Sequence, residues 1–206
     1  MSAGEGRRGR RPARHTARAV TMAVILSLAC ADCSSGGNEE PSPTANHQAQ
    51  PFGPGCSSIP RSGTGSFAEM SKDLVTDASA HLPMLTQWVH AVDEANMHRT
   101  LKEAQHITVF APDDAAFAKI PKSQLARLLE NKAELRKTLL YHVVGHRVTP
   151  DALSNSAFTT LSNGALLTSG SGQSFKVDGT ANIVCGNIQT VNANLYIIDS
   201  VLSPQP

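Results

Sequence analysis

The chain reads as an α+β domain in which N-terminal helices pack on an antiparallel-rich β wedge or sandwich. Leucine and valine recur at helical spacing from Leu82 to Leu140, and the strand-to-helix stretch Thr108–Phe117 interrupts that region. After Tyr141, short β-branched runs separated by turn dipeptides take over. Helices mostly before strands disfavour a doubly wound parallel sheet.

The first helical pattern is Leu82, Leu85, Val89 and Val92, at i, i+3, i+7 and i+10, with Trp88 on the same broad face. Trp88, the only tryptophan, is read as core rather than as a ligand platform, because its large apolar surface belongs on such a stripe. In Thr108-Val109-Phe110-Ala111-Pro112-Asp113-Asp114-Ala115-Ala116-Phe117 the first half is a buried strand that Pro112 must end. Asp113 then caps a helix by accepting from the backbone N–H of Ala115 or Ala116, Asp114 adds charge to its first turn, and Phe117 returns to the core. Leu125, Leu128 and Leu129 predict a helix from near Pro121; Asn131 with Glu134 forms a near capping box for another, with Leu135, Leu139 and Leu140 as its apolar face.

Two hairpins follow: Phe158–Leu161 and Ala165–Thr168 flank Asn163-Gly164, and Phe175–Val177 and Ala181–Val184 flank Asp178-Gly179. Both dipeptides tolerate the positive φ of two-residue turns. Gly170-Ser171-Gly172 is a turn between strands, without the strand-to-helix context of a phosphate loop. The run Leu195–Leu202 predicts a central strand buried on both sides.

Three of these stretches, in order, resemble the signature boxes of the fasciclin domain, an adhesion and binding module: Thr108–Phe117, Leu139-Leu140-Tyr141-His142-Val143-Val144, and Asn194–Pro204. The resemblance runs from about Ser66 to Pro204, and Gly53-Pro54-Gly55-Cys56 with Val184-Cys185-Gly186 bring it closest to the small single-domain secreted antigens and lipoproteins of mycobacteria. It implies structural roles for Thr108, Phe110, Pro112, Asp113, Phe117, Tyr141, His142 and Asp199. Asp113 stands where Thr or Asn is frequent, and Tyr196 where many members carry His.

Residues 1–29 have the form of a signal peptide: Arg7, Arg8, Arg10, Arg11, Arg14 and Arg18 precede an eleven-residue, largely apolar run, Ala19–Ala29, too short to span a bilayer. Leu26-Ser27-Leu28-Ala29-Cys30 resembles a permissive lipobox that would lipidate Cys30; Cys33, preceded by Asp32, fits less well. Residues 30–55 read as a Ser-, Gly- and Pro-rich tether reaching about 25–30 Å, and residues 56–206 as the domain. The formal charge of +1 hides an acidic remainder, since twelve basic and sixteen acidic residues follow residue 29, which argues against a nucleic-acid partner.

Cys56 and Cys185 are the pair left beside the folded region of an exported chain and are expected to form a disulfide, the alternative being two buried thiols. His142-Val143-Val144-Gly145-His146 has the spacing of a zinc-protease helix but lacks its glutamate; as a strand it would hold the rings about 13 Å apart. No metal, cofactor or catalytic nucleophile–base pair is expected. His142 and Tyr141 sit at a helix-to-strand junction that favours a packing role, and His146 and Arg147 beside them are the candidate partner-binding residues. The expected function is a non-catalytic adhesion or protein-binding domain for an envelope or host macromolecule, lipid-anchored on the outer side of the membrane, or secreted if the lipobox is unused. The alternative is a carrier of a small apolar or lipid ligand held between helices and sheet.

Overall fold

The computed structural model describes residues 50–204. Helices α1 (Phe67–Met70), α2 (Val75–Ala80), α3 (Thr86–Glu94) and α4 (His98–Glu103) precede strand β1 (Ile107–Pro112). Then come α5 (Asp114–Ala118), α6 (Lys122–Glu130) and α7 (Lys132–Tyr141), followed by β2 (Val143–Val144), β3 (Ser156–Thr159), β4 (Ala165–Ser171), β5 (Ser174–Val177), β6 (Ala181–Gln189) and β7 (Ala193–Ile198). Proline, whose fixed φ suits a helix start, opens 3-10 turns at Pro54–Ser58, Pro83–Leu85 and Pro150–Leu153.

The strand order is β2-β1-β7-β6-β5-β4-β3. β1 and β7 pair in parallel from Ile107↔Ala193 to Pro112↔Ile198, and the other neighbours are antiparallel. A bridge between Val144 and Thr160, with Leu161 N donating to Val143 O at 2.7 Å, draws β2 back toward the end of β3 and nearly closes the sheet. Because successive strand residues face opposite ways, β1 and β7 feed two cores. Ile107, Val109, Ala111, Leu195 and Ile197 join Trp88, Leu101 and Leu139 under the helices, whereas Phe110, Tyr196 and Ile198 join Phe158, Leu166 and Phe175 inside the curved sheet.

Asp113 caps α5 by accepting from Ala116 N at 2.6 Å, and Phe110 and Phe117 are buried on either side of that corner. Asn131 caps α7 by accepting from Glu134 N. The helix predicted from Leu82 instead begins at Thr86, because Pro83 first turns the chain in a 3-10 segment. Its N-terminus is capped from 27 positions away: Asp114 Oδ1 accepts from Gln87 N at 2.8 Å, and Oδ2 accepts from Thr86 Oγ1 at 2.7 Å.

Asp178 and Gly179 adopt φ of 49° and 68° and turn β5 into β6 as expected. The Asn163-Gly164 connection differs: residues 160–164 make a longer loop, since Thr160 is drawn off to β2 and its Oγ1 bonds Gly164 N. Gly164 is needed there for closeness, because a Cβ would meet Tyr141 Cε2 at 2.7 Å. The next turn is Gly172-Gln173, with Gly170 and Ser171 still in β4. The closing strand is central and buried throughout but stops at Ile198 rather than reaching Leu202.

Cys56 and Cys185 form a disulfide, Cα–Cα 4.9 Å, that ties the first 3-10 turn to β6 across 129 positions. Ordered structure starts before Cys56, within the stretch read as tether. Phe52 exchanges backbone hydrogen bonds with Gly186, and its ring packs edge-on to Phe175 and Tyr196. The Phe52 pairing, the disulfide and a bond from Asn187 Nδ2 to Gln50 O together hold this Pro- and Gly-rich stretch against β6. The signal segment 1–29, Cys30, Cys33 and the tether as far as residue 49 lie outside the described residues.

Removing the cap in Asp113→Ala should cost about 1 kcal/mol, whereas Phe110→Ala, which opens a cavity beside Tyr196, should cost about 3–5 kcal/mol. Urea midpoints of the two variants should therefore fall in that order, and coincident midpoints would contradict the assigned roles.

Candidate functional site

Of the residues singled out around the end of α7, His146 and Arg147 in the following loop come together with β1 and the turn between β6 and β7. Thr108, in β1, donates its hydroxyl to His146 O and accepts from Val148 N, both at 2.7 Å, and so pins residues 146–148 across the strand. Val148 O accepts from Asn194 Nδ2 at 3.0 Å and from the Tyr196 hydroxyl at 2.8 Å. Arg147 then reaches over the β6–β7 turn. Its Nη1 donates to Ala193 O (2.9 Å) and Asn194 Oδ1 (2.6 Å), and its Nη2 to Thr190 O (2.9 Å) and Val191 O (2.8 Å).

The turn is held from the helical side as well. Asn192 is fully buried: Oδ1 accepts from Val75 N at 2.9 Å, and Nδ2 donates to Leu101 O and Ala104 O, both at 2.8 Å. Val191 N donates to Asp73 O at 2.8 Å. Between these restraints the Val191 side chain is left 52% exposed. His146 is also exposed, its ring 5.7 Å from that of Phe158. Arg147 is thus spent on internal carbonyls, and the side chains offered outward are His146 and Val191.

Tyr141 and His142 face inward. The Tyr141 hydroxyl lies 2.8 Å from Ala165 O and 3.0 Å from Asp178 Oδ2; burial, aided by Asp178, pushes it up to about 12. His142 is completely buried, with Nδ1 2.8 Å from Thr138 O and Nε2 accepting from Leu202 N at 2.9 Å. That arrangement requires the Nδ1–H tautomer, and it leaves neither nitrogen for a metal. Burial pushes the ring down to about 4, against the pull of the Thr138 carbonyl. Among the described residues no group of three His, Cys, Asp or Glu side chains is placed to hold a metal.

At the opposite end of β7, Asp199 accepts from Asn182 N at 2.8 Å and Asn182 Nδ2 at 2.9 Å. Burial pushes its carboxyl up, but Asn182, Ser200 and the Lys119 charge outweigh that and hold it below the usual carboxylate range. Asp199 therefore fastens the exit of β7 to β6, as Arg147 and Asn192 fasten its entry.

The fasciclin domain profile matches residues 83–204. The chain belongs to the fasciclin domain family. It is 38% identical to the immunogenic protein MPB70 of Mycobacterium bovis, over 74% of this chain and 81% of that protein. It is 31% identical to the cell surface glycolipoprotein MPB83 of the same species, over 91% of this chain and 95% of that protein. Among solved structures, a FAS1 domain pair from the insect cell adhesion molecule fasciclin I superposes with a TM-score of 0.52 at 14% identity. The match covers 63% of this chain and half of that pair, and shows the same fold.

Sequence reasoning missed Asn192, Asn194 and Val191. Their partners are backbone groups far away in the chain, and no local spacing marks such a residue. The exposed valine next to an asparagine in a turn is the one available signal.

The depressed His142 gives stability a defined pH dependence. The unfolded ring protonates near 6.5 and the native ring near 4. Stability from this residue is therefore intact above 6.5 and lost as pH falls toward 4, because the unfolded state binds the proton first. Between pH 7 and pH 5 the loss should be about 2 kcal/mol. Urea titrations followed by Trp88, whose ring is 5.9 Å from His142, should show it, and His142→Gln should flatten that arm of the profile.

Proposed function

We propose that this fasciclin domain is a non-catalytic binding module, displayed outside the cell on the tether, that presents the Thr190–Ala193 turn and His146 to a macromolecular partner. The observation that carries the reading is the Arg147 clasp, whose bonds to four acceptors hold an exposed valine on a fixed backbone. A rigid apolar knob with polar surroundings loses little entropy on docking and is a suitable interface anchor. Arg147, first a candidate contact, is assigned as the residue that positions this face. Display at the envelope is supported by the leader sequence and by the likeness to a cell surface glycolipoprotein. Carriage of a small molecule would rest on a separate feature, a cavity in the helical layer.

Val191→Asp and His146→Ala should each lower capture of envelope or host proteins by the domain at least tenfold in cross-linking experiments while leaving the urea midpoint within about 0.5 kcal/mol of wild type. Arg147→Lys should instead lower stability, since a single ammonium cannot reproduce the planar fork. Capture unaffected by both surface substitutions would rule out this face.

Display further requires that residues 1–29 are removed and Cys30 carries lipid. Intact mass of the native membrane fraction should show a chain beginning at Cys30 with added acyl mass, and an unmodified chain beginning at Ala31 or later would exclude anchoring.

A further inference from the structure

Charge is unevenly spread over the domain. From Lys119 to Lys137, through α6 and much of α7, the chain carries Lys119, Lys122, Arg127, Lys132, Arg136 and Lys137 against only Glu130 and Glu134. The other residues between 50 and 204 hold six basic and eleven acidic side chains, so a basic helical pair stands on an acidic body. Within the pair, Lys119 lies 3.4 Å from Asp199, Lys132 lies 3.9 Å from Glu94, and Arg136 donates to Thr100 Oγ1. Lys122, Arg127 and Lys137 are exposed and form no ion pair among the described residues, Arg127 giving its Nε only to Ser123 O of its own helix. The packing of α6 is also distinct. It is as long as α3, which buries Trp88, Ala91 and Val92, yet it buries no side chain completely. Ile120 and Leu128 stay half-buried along a groove shared with Val201 and Pro204, and Lys137 lines the same groove. Apolar surface and free positive charge side by side match a lipid interface, whereas a hydrophilic polyanion would use the charge alone.

We propose that α6 and the adjoining face of α7 dock the domain on an anionic lipid surface, with Lys122, Arg127 and Lys137 meeting the head groups. Lys119 reaches Asp199 and the groove takes in Val201, so this face lies beyond the exit of β7, while Val191 stands before its entry. The six residues of β7 set the two ends about 20 Å apart, twice the Debye length of about 10 Å at 0.1 M salt. A domain docked in this way holds the Val191 turn away from the lipid, and repulsion of its acidic body from the same surface favours that orientation. The contact goes beyond the display reading, which supplies a membrane within reach of the tether, and it does not need lipid on Cys30.

The test uses the chain from Ser34 onward, which lacks the leader, the lipid site and Cys33, so its outcome is independent of acylation and of partner capture. Co-sedimentation should show binding to phosphatidylcholine vesicles that contain phosphatidylglycerol, about tenfold weaker binding to phosphatidylcholine alone, and loss of binding as salt rises from about 0.1 M to 1 M. Lys122→Gln, Arg127→Gln and Lys137→Gln should each weaken binding about fivefold, the effect of one charge beside an anionic leaflet, whereas Lys176→Gln on β5 should change it by less than about twofold, all with unchanged urea midpoints. An environment-sensitive dye should shift on vesicles when attached at Ser123→Cys and stay unshifted at Val191→Cys. Equal binding to the two kinds of vesicle, an equal loss in Lys176→Gln, binding to soluble polyglutamate as tight as to vesicles at the same charge concentration, or a dye shift at Val191 as large as at Ser123 would each overturn the proposal.

Discussion

The parallel pairing of Ile107–Pro112 with Ala193–Ile198 is the constraint on which the rest of the molecule depends. Every residue of both strands is buried, so no backbone group in either can turn to water for a partner. The ends must also be closed from within: Asn192 O accepts from Ile107 N at one end, and Ile198 O accepts from Asp113 N at the other. Parallel strands need a long crossover, and here it is the whole chain from α5 to the β6–β7 turn. The two strands also divide the interior. Alternate side chains go to the helical core and to the curved sheet, so neither core can form without the pairing.

The buried polar residues follow from that constraint. Thr108, Asn192, Asn194 and the Tyr196 hydroxyl each satisfy backbone groups of segments that pass over the strand ends, and each would be a liability in the core without its partner. His142 does the same for the segment after β7, accepting from Leu202 N while bonding its own helix at Thr138. The Tyr-His pair is thus a connection between the last turn of α7 and the sheet. Tyr141 bonds toward β4 and the Asp178 turn, and His142 toward the chain end.

What was legible in the sequence is what local chemistry determines. Pro112 followed by Asp113 specifies a strand stop and a helix cap within two residues, and Asn131 with Glu134 specifies another cap, because each acceptor is three residues from its donor. The uninterrupted apolar run from Leu195 to Ile198 marks a strand with no solvent face. The illegible parts are those whose partners lie far away. Asp114 caps a helix 27 residues earlier, Arg147 fastens a turn more than 40 residues later, and Phe52 finds its place only because Gly186 leaves room on β6. Side-chain pattern alone assigned Asp114 to its own helix, Arg147 to solvent and Phe52 to a tether.

The two ends of the molecular design differ in how completely they are determined. Around Arg147 each restraint is duplicated: Thr190 is held by its own hydroxyl and by the guanidinium, Ala193 O accepts from both, and Asn192 anchors the turn to α2 and α4. Such a region has one arrangement, which suits a surface recognised by shape. The layer of α2, α3 and α4 is more open, with short helices around a solvent-accessible cavity of about 220 Å³. Asn192 touches both regions, since it bonds α2 at Val75 and the end of α4 at Leu101 and Ala104 while sitting in the turn that presents Val191.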